Sequence, residues 1–105
     1  MFGSVSKRLL CPACADLVAV ATYRRWPGYL VLVAADGTRI VPTMGAVARE
    51  QAAGSAEDLA FVEAHPLDLI FRLRCPRGHP VLRTAPQLRR ALRGSAASWV
   101  RLPDG

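Results

Sequence analysis

Two short stretches constrain this chain more than anything else in it: "CPAC" at Cys11–Cys14 and "CPRGH" at Cys75–His79. Between them they hold all three cysteines and one of the two histidines. Zinc takes four ligands in a tetrahedron from thiolate sulfur and imidazole nitrogen, and ligands a few residues apart on a tight turn reach one ion together. Cys11 and Cys14 have that spacing; Cys75 and His79 are one position wider, with Gly78 between them to permit a positive φ. Proline follows the first cysteine of each turn and fixes φ where the chain bends. Cys11, Cys14, Cys75 and His79 are therefore expected to hold one Zn2+. Some 60 residues separate the two turns. Closing so long a loop is permitted, because its entropic cost grows only slowly with length.

A metal staple suits the rest of the composition. The 105 residues suffice for one domain, 1–105. They are 51% hydrophobic, but 17 of them are alanine and few are large aromatics. The core is expected to be thin for the length. No apolar run approaches the roughly 18 residues that a membrane-spanning helix requires. "MFGSVSKRLL" lacks the apolar stretch and cleavage site of a signal peptide. We expect a cytoplasmic protein with no membrane partner, in which paired cysteines hold metal or do redox work more often than they form structural disulfides.

The elements follow from pattern. "YLVLVA" at Tyr29–Ala34 reads as a strand, Asp36-Gly37 as a type I′ hairpin turn, and Thr38–Val41 as the returning strand. Trp26-Pro27-Gly28 marks an earlier turn. Residues 43–66 are alanine-rich and read as an insertion between the two cysteine turns. Within them Ser55 is an N-cap with Glu57 and Asp58 in the first turn, and Pro66 is the stop. "PLDLIFRLRC" alternates, with Leu67, Leu69, Phe71 and Leu73 on one side and Asp68, Ile70, Arg72 and Arg74 on the other. That pattern is a half-buried strand running into Cys75, with Val81–Arg83 as its return. "TAPQLRRALRG" has a capping box at Thr84 and Gln87, and Gly94 stands at a C′ position. Leu88, Ala91 and Leu92 fall on one helical face, Arg89, Arg90 and Arg93 on another. "SWVRLP" closes the chain either as a short strand or by packing Trp99 on the core.

"CPAC" and "CPRGH" resemble the paired knuckles of zinc-ribbon proteins, which commonly carry Cys-Pro-x-Cys-Gly turns. The resemblance covers the knuckles and their flanking strands. Ala15 stands where glycine is usual, and Gly78-His79 replaces the Cys-Gly order. It implies a zinc-ribbon-like antiparallel sheet, which with the inserted alanine-rich helical segment and the C-terminal amphipathic helix read above makes an α+β fold. It also implies a binding element of transcription or translation machinery, or a protein adaptor. With no glutamate placed as a general base near either knuckle, we expect no enzyme and no small-molecule substrate.

Other readings of the cysteines remain. A Cys-Pro-x-Cys pair also resembles the redox pair of thioredoxin-like enzymes, whose thiols are activated at a helix N-terminus. Here strand-like residues follow Cys14. A catalytic zinc would leave one position to water if His79 did not bind. His65, the other imidazole, stands before a proline with no ligand-spaced neighbour.

The net charge is +6, unevenly placed. Residues 1–71 carry six basic residues against seven acids, and residues 72–105 carry eight arginines against Asp104 alone. Thirteen arginines and one lysine, with abundant alanine, is the usage of a high-GC bacterial genome, where arginine fills ordinary solvated positions. A basic end also suits phosphate backbones. Arg72, Arg74, Arg77, Arg83, Arg89, Arg90 and Arg93 are the residues for such a contact. Arg24, Arg25 and Trp26 of "YRRWPGY" interleave aromatic and basic groups. A nucleic acid, a nucleoprotein complex or a protein partner is expected.

Overall fold

A computed structural model describes residues 5–24 and 29–103. Arg25, Trp26 and the turn through Gly28 lie outside the described residues. The elements run β1 (Val5–Leu10), β2 (Leu17–Tyr23), β3 (Leu30–Ala34), β4 (Arg39–Ile40), α1 (Gly45–Ala52), α2 (Ala56–Ala64), β5 (Ile70–Arg74), β6 (Pro80–Thr84), α3 (Ala85–Arg93) and β7 (Trp99–Arg101). The class is α+β, but the strands form two sheets, not one. Five are ordered β4-β3-β2-β1-β7, and β5 and β6 form a separate hairpin. Every pairing is antiparallel except β1 with β7, which is parallel.

Alternation gives the large sheet two unlike faces. Inward it presents Leu9, Ala19, Ala21, Leu32 and Val100, all buried. Against them pack Phe71, Leu73 and Val81 of the hairpin and Leu88 and Leu92 of α3. The buried alanines of β2 have short side chains, so the core there is as thin as the composition predicts. A second cluster joins the other face of the hairpin, Ile70 and Leu82, to Ala48, Ala52 and Val62 of α1 and α2. The hairpin is thus covered on both faces.

That sandwiching corrects one expectation. The strand begins at Ile70, not Leu67, and Ile70 is buried, whereas Leu67 is 87% exposed and Leu69 44%. Alternation misjudged the sides because the residues facing α1 and α2 meet a second core instead of water. Arg72 lies on that side. Its guanidinium donates to the carbonyl of Gln51 and to Asp58 Oδ2, 3.4 Å away, and so ties β5 to both inserted helices.

The helix ends obey their caps. Ser55 Oγ accepts from the Asp58 N–H at 3.2 Å, and the Thr84–Gln87 box makes both reciprocal bonds, at 2.8 and 3.2 Å. Gly94 caps α3 in a right-handed conformation, φ −78°, and not in the left-handed one anticipated for a C′ glycine. The chain's one lysine takes over part of that task. Lys7, on the inner face of β1, is buried and donates from Nζ to the carbonyls of Leu92 (3.0 Å) and Ser95. A cation at the carbonyl end also suits the helix dipole. The Asp36-Gly37 turn differs too: only Gly37 has a positive φ, and Gly37 N–H bonds Ala34 O while Ala34 N–H bonds Thr38 O. This is the three-residue hairpin loop, with glycine at its left-handed position, not the two-residue I′ turn. Of the two endings open to "SWVRLP", the strand is the one formed; Trp99 stays 53% exposed.

No helix among the described residues is long and apolar enough to cross a membrane.

Candidate metal centre

Each cysteine turn is the tip of a β-hairpin. Cys11–Cys14 closes β1 onto β2, with a register shift at Leu9/Leu10 just before the turn. Cys75–His79 closes β5 onto β6. In the first tip, Ala15 N–H bonds Cys11 O and Cys11 N–H bonds Asp16 O, both at 2.8 Å. In the second, Gly78 N–H bonds Cys75 O at 2.9 Å and Cys75 N–H bonds His79 O at 3.1 Å. Because the two hairpins pack across the main core, their tips meet at one end of it.

There Cys11, Cys14 and Cys75 Sγ and one ring nitrogen of His79 all lie within 4.8 Å of one another. His79 Nδ1 stands 3.2 Å from Cys75 Sγ and 3.9 Å from Cys11 Sγ, and Cys14 Sγ is 3.8 Å from Cys75 Sγ. Bond lengths of about 2.3 Å to sulfur and 2.0 Å to nitrogen give tetrahedral edges of roughly 3.5–3.8 Å. The observed edges bracket that range, so the four side chains fit a single ion. Cys11 and Cys75 are buried, Cys14 is half-buried and His79 is exposed, so the site is a lid on the core. His65 is elsewhere, with Nδ1 2.9 Å from Phe61 O at the end of α2.

The thiols do not titrate alike. For Cys75, burial alone would raise the pKa, but the backbone N–H groups of His79 and Arg77, with hydrogen bonds from Cys14 and Cys11, bring it down to about 7. For Cys14, the backbone N–H of Asp16 favours the thiolate, but burial and the neighbouring thiols Cys11 and Cys75 outweigh it and push the group up to about 11. A coordinated dication favours the thiolate form of its sulfur ligands, so metal binding there releases protons.

The left-handed positions of the two turns explain how this sequence departs from a glycine-terminated knuckle. Gly78 has φ +89°, and Ala15 has φ +62°, the one non-glycine positive φ among the described residues. An L-residue held there costs roughly 1–2 kcal/mol. Replacing Ala15 by glycine removes that strain but enlarges the unfolded ensemble, so A15G is expected to gain about 0.5–1 kcal/mol. Chemical denaturation of the metal-loaded protein checks the sign.

A charged pair spans the tips. Arg77 Nε donates to Asp16 Oδ2 at 2.9 Å, and the same oxygen lies 3.7 Å from Cys14 Sγ. Arg101, on β7, donates to Pro12 O at 2.8 Å and braces the first turn. Neither Asp16 nor Arg101 stands out in the sequence as a site residue, because no spacing rule links either to the cysteines. D16A, which breaks the Arg77 link between the two tips, is expected to loosen metal binding about 10-fold. Competition with a chromophoric chelator measures it.

The arginines anticipated as one basic patch are divided by the fold. Arg72 is bound to Gln51 and Asp58, and Arg77 to Asp16. Arg83 is buried, donating to Leu82 O and Pro103 O, both at 2.6 Å. Arg74, Arg90 and Arg93 are exposed, Arg89 is half-buried, and Arg93 Nε reaches Arg89 O at 3.3 Å. Arg24 lies over the Tyr29 ring, 5.5 Å from its centroid.

No protein-family model, curated protein or solved structure matches the chain.

Proposed function

We propose that the chain is a structural-zinc module of zinc-ribbon-like design, and that it associates with nucleic acid through its basic C-terminal helix. The observation that carries the reading is the tetrahedral spacing of three thiols and one imidazole at the tips of two hairpins. A sulfur-rich tetrahedral set suits Zn2+. Four protein ligands leave no open position for a reacting water, which favours a structural over a catalytic ion. The first cysteine pair lies in a hairpin turn, away from any helix N-terminus, which weighs against thioredoxin-like chemistry.

For nucleic acid, the support is the surplus of arginine in residues 72–105 and the exposure of Arg90 and Arg93 on α3. Binding of a 20-base-pair duplex by the zinc-loaded protein, followed across salt concentrations, tests it. Binding is expected to weaken steeply with salt, and R90A/R93A to cut the log–log slope by about 1.8. Salt-independent binding, or none, would remove the reading.

One observation favours a protein adaptor as the second reading. The Thr43–Ile70 bridge sets Met44 beside Leu69, and Val41, Met44, Val47, Leu67 and Leu69 are all exposed. Exposed apolar side chains of this kind suit a protein contact. Partner capture that survives nuclease treatment would favour it over nucleic-acid association.

A further inference from the structure

The face of the five-stranded sheet that looks away from the core has no element packed on it among the described residues. Its composition follows from the register. One row crosses all five strands: Arg39 of β4, Val33 of β3, Val20 of β2, Arg8 of β1 and Trp99 of β7 are successive cross-strand neighbours. The next row holds Val31, Thr22 and Ser6. Four spacings of about 4.8 Å make the first row roughly 19 Å wide. At the far end of β2 and β3, where Arg24 N–H bonds Tyr29 O, the Arg24 guanidinium lies over the Tyr29 ring.

The chemistry of this face is one-sided. Its strand residues include no acid. Arg8 and Arg39 are exposed, and neither side chain has a polar partner among the described residues. The three valines are half-buried and flush with the sheet, and the hydroxyls of Ser6 and Thr22 satisfy each other at 2.9 Å. What stands out from the surface is a tryptophan at one edge, an arginine beside it, a second arginine at the opposite edge and a tyrosine at one end.

From this we infer that the outer face of the large sheet binds single-stranded nucleic acid, with a base stacking on Trp99 and phosphates paired by Arg8 and Arg39. Aromatic rings accept any base, and unshared guanidinium groups beside them suit the backbone. A sheet about 19 Å across is too broad for a major groove of roughly 12 Å, so a flat face of this kind selects strands whose bases are free. A protein partner would need protruding apolar side chains at the centre, where the valines and Leu10 of this face are half-buried, and a second copy of the chain would set arginines against arginines. The inference rests on the reading that the chain associates with nucleic acid, and adds a site distinct from α3. That helix packs on the inner side of the sheet, so Arg90 and Arg93 belong to the opposite layer.

The zinc-loaded full chain, mixed with a fluorescein-labelled 8-nucleotide oligouridylate, tests the site by anisotropy and by quenching of tryptophan fluorescence. The oligonucleotide is expected to quench the emission. W99A should weaken binding at least about 10-fold and abolish most of the quenching, with W99Y restoring much of the affinity. R8A/R39A should cut the salt slope by about 1.4. Duplex binding should keep its affinity in W99A. If W99A and R8A/R39A bind the oligouridylate like the parent while R90A/R93A loses it, the sheet site is wrong and nucleic-acid association stands. If neither oligouridylate nor duplex binds at low salt, both fail. Equal binding of poly-L-glutamate would also overturn the site, since it offers charge without bases. Unchanged zinc content and far-UV circular dichroism in each variant establish that a loss is not unfolding.

Discussion

Stripping zinc with a strong chelator is expected to unfold the protein at room temperature, with loss of near-UV circular dichroism and of the cooperative melt. Cys11 and Cys75 are members of the main core cluster, and an ion held by the proposed site would join the tips of the two hairpins they occupy. Structural zinc contributes roughly 10–16 kcal/mol of apparent folding free energy in small peptides. A domain of this size has about 5–15 kcal/mol in total. Losing the ion therefore exceeds what a core lined by Ala19 and Ala21 can supply. Re-adding one equivalent of Zn2+ should restore the melt. A chelated protein with its full near-UV spectrum and an unchanged Tm would show that packing alone suffices.

The second large effect is expected at Lys7. Its ammonium is buried and serves the carbonyls of Leu92 and Ser95, where α3 ends without a left-handed glycine. K7M keeps most of the aliphatic stem, but leaves those carbonyls in a site that water reaches poorly. A hydrogen bond to a charged group contributes about 1.5–3 kcal/mol, and orphaned buried acceptors add to the loss. We expect K7M to cost roughly 2–4 kcal/mol, read as a lowered urea midpoint with an unchanged m-value. K7R should recover part of it, because the guanidinium still donates. A K7M protein as stable as the parent would mean that water caps the helix.

How far the sequence revealed this molecule depended on the range of the interaction. Local signals were legible. The Thr84–Gln87 box, the Ser55 cap and the stop at Pro66 each involve residues within a few positions of one another. The clustering of Cys11, Cys14, Cys75 and His79 was legible for the same reason, since two turns of ligand-spaced residues leave little choice about which side chains meet. Sheet assembly was not. Parallel pairing of β1 with β7 joins Arg8 to Trp99 across the length of the chain, and nothing near either residue announces it. Nor could alternation show that β5 has a core on each side, so Ile70 was placed outside and Leu67 inside. The arginines illustrate the limit best. Charge counting put Arg72, Arg77 and Arg83 in one patch with Arg90 and Arg93, yet the fold gives the first three to Asp58, Asp16 and main-chain carbonyls. Arg8 and Arg39, unremarkable in sequence, are left facing outward on the sheet.

Whether three sulfurs and one imidazole nitrogen close a single site can be read by X-ray absorption at the zinc edge, on protein loaded with one equivalent of Zn2+. About three sulfurs near 2.3 Å and one nitrogen near 2.0 Å are expected, with outer-shell scattering from the imidazole that vanishes in H79A. Fewer than three sulfurs, or an H79A spectrum identical to the parent's, would contradict that coordination.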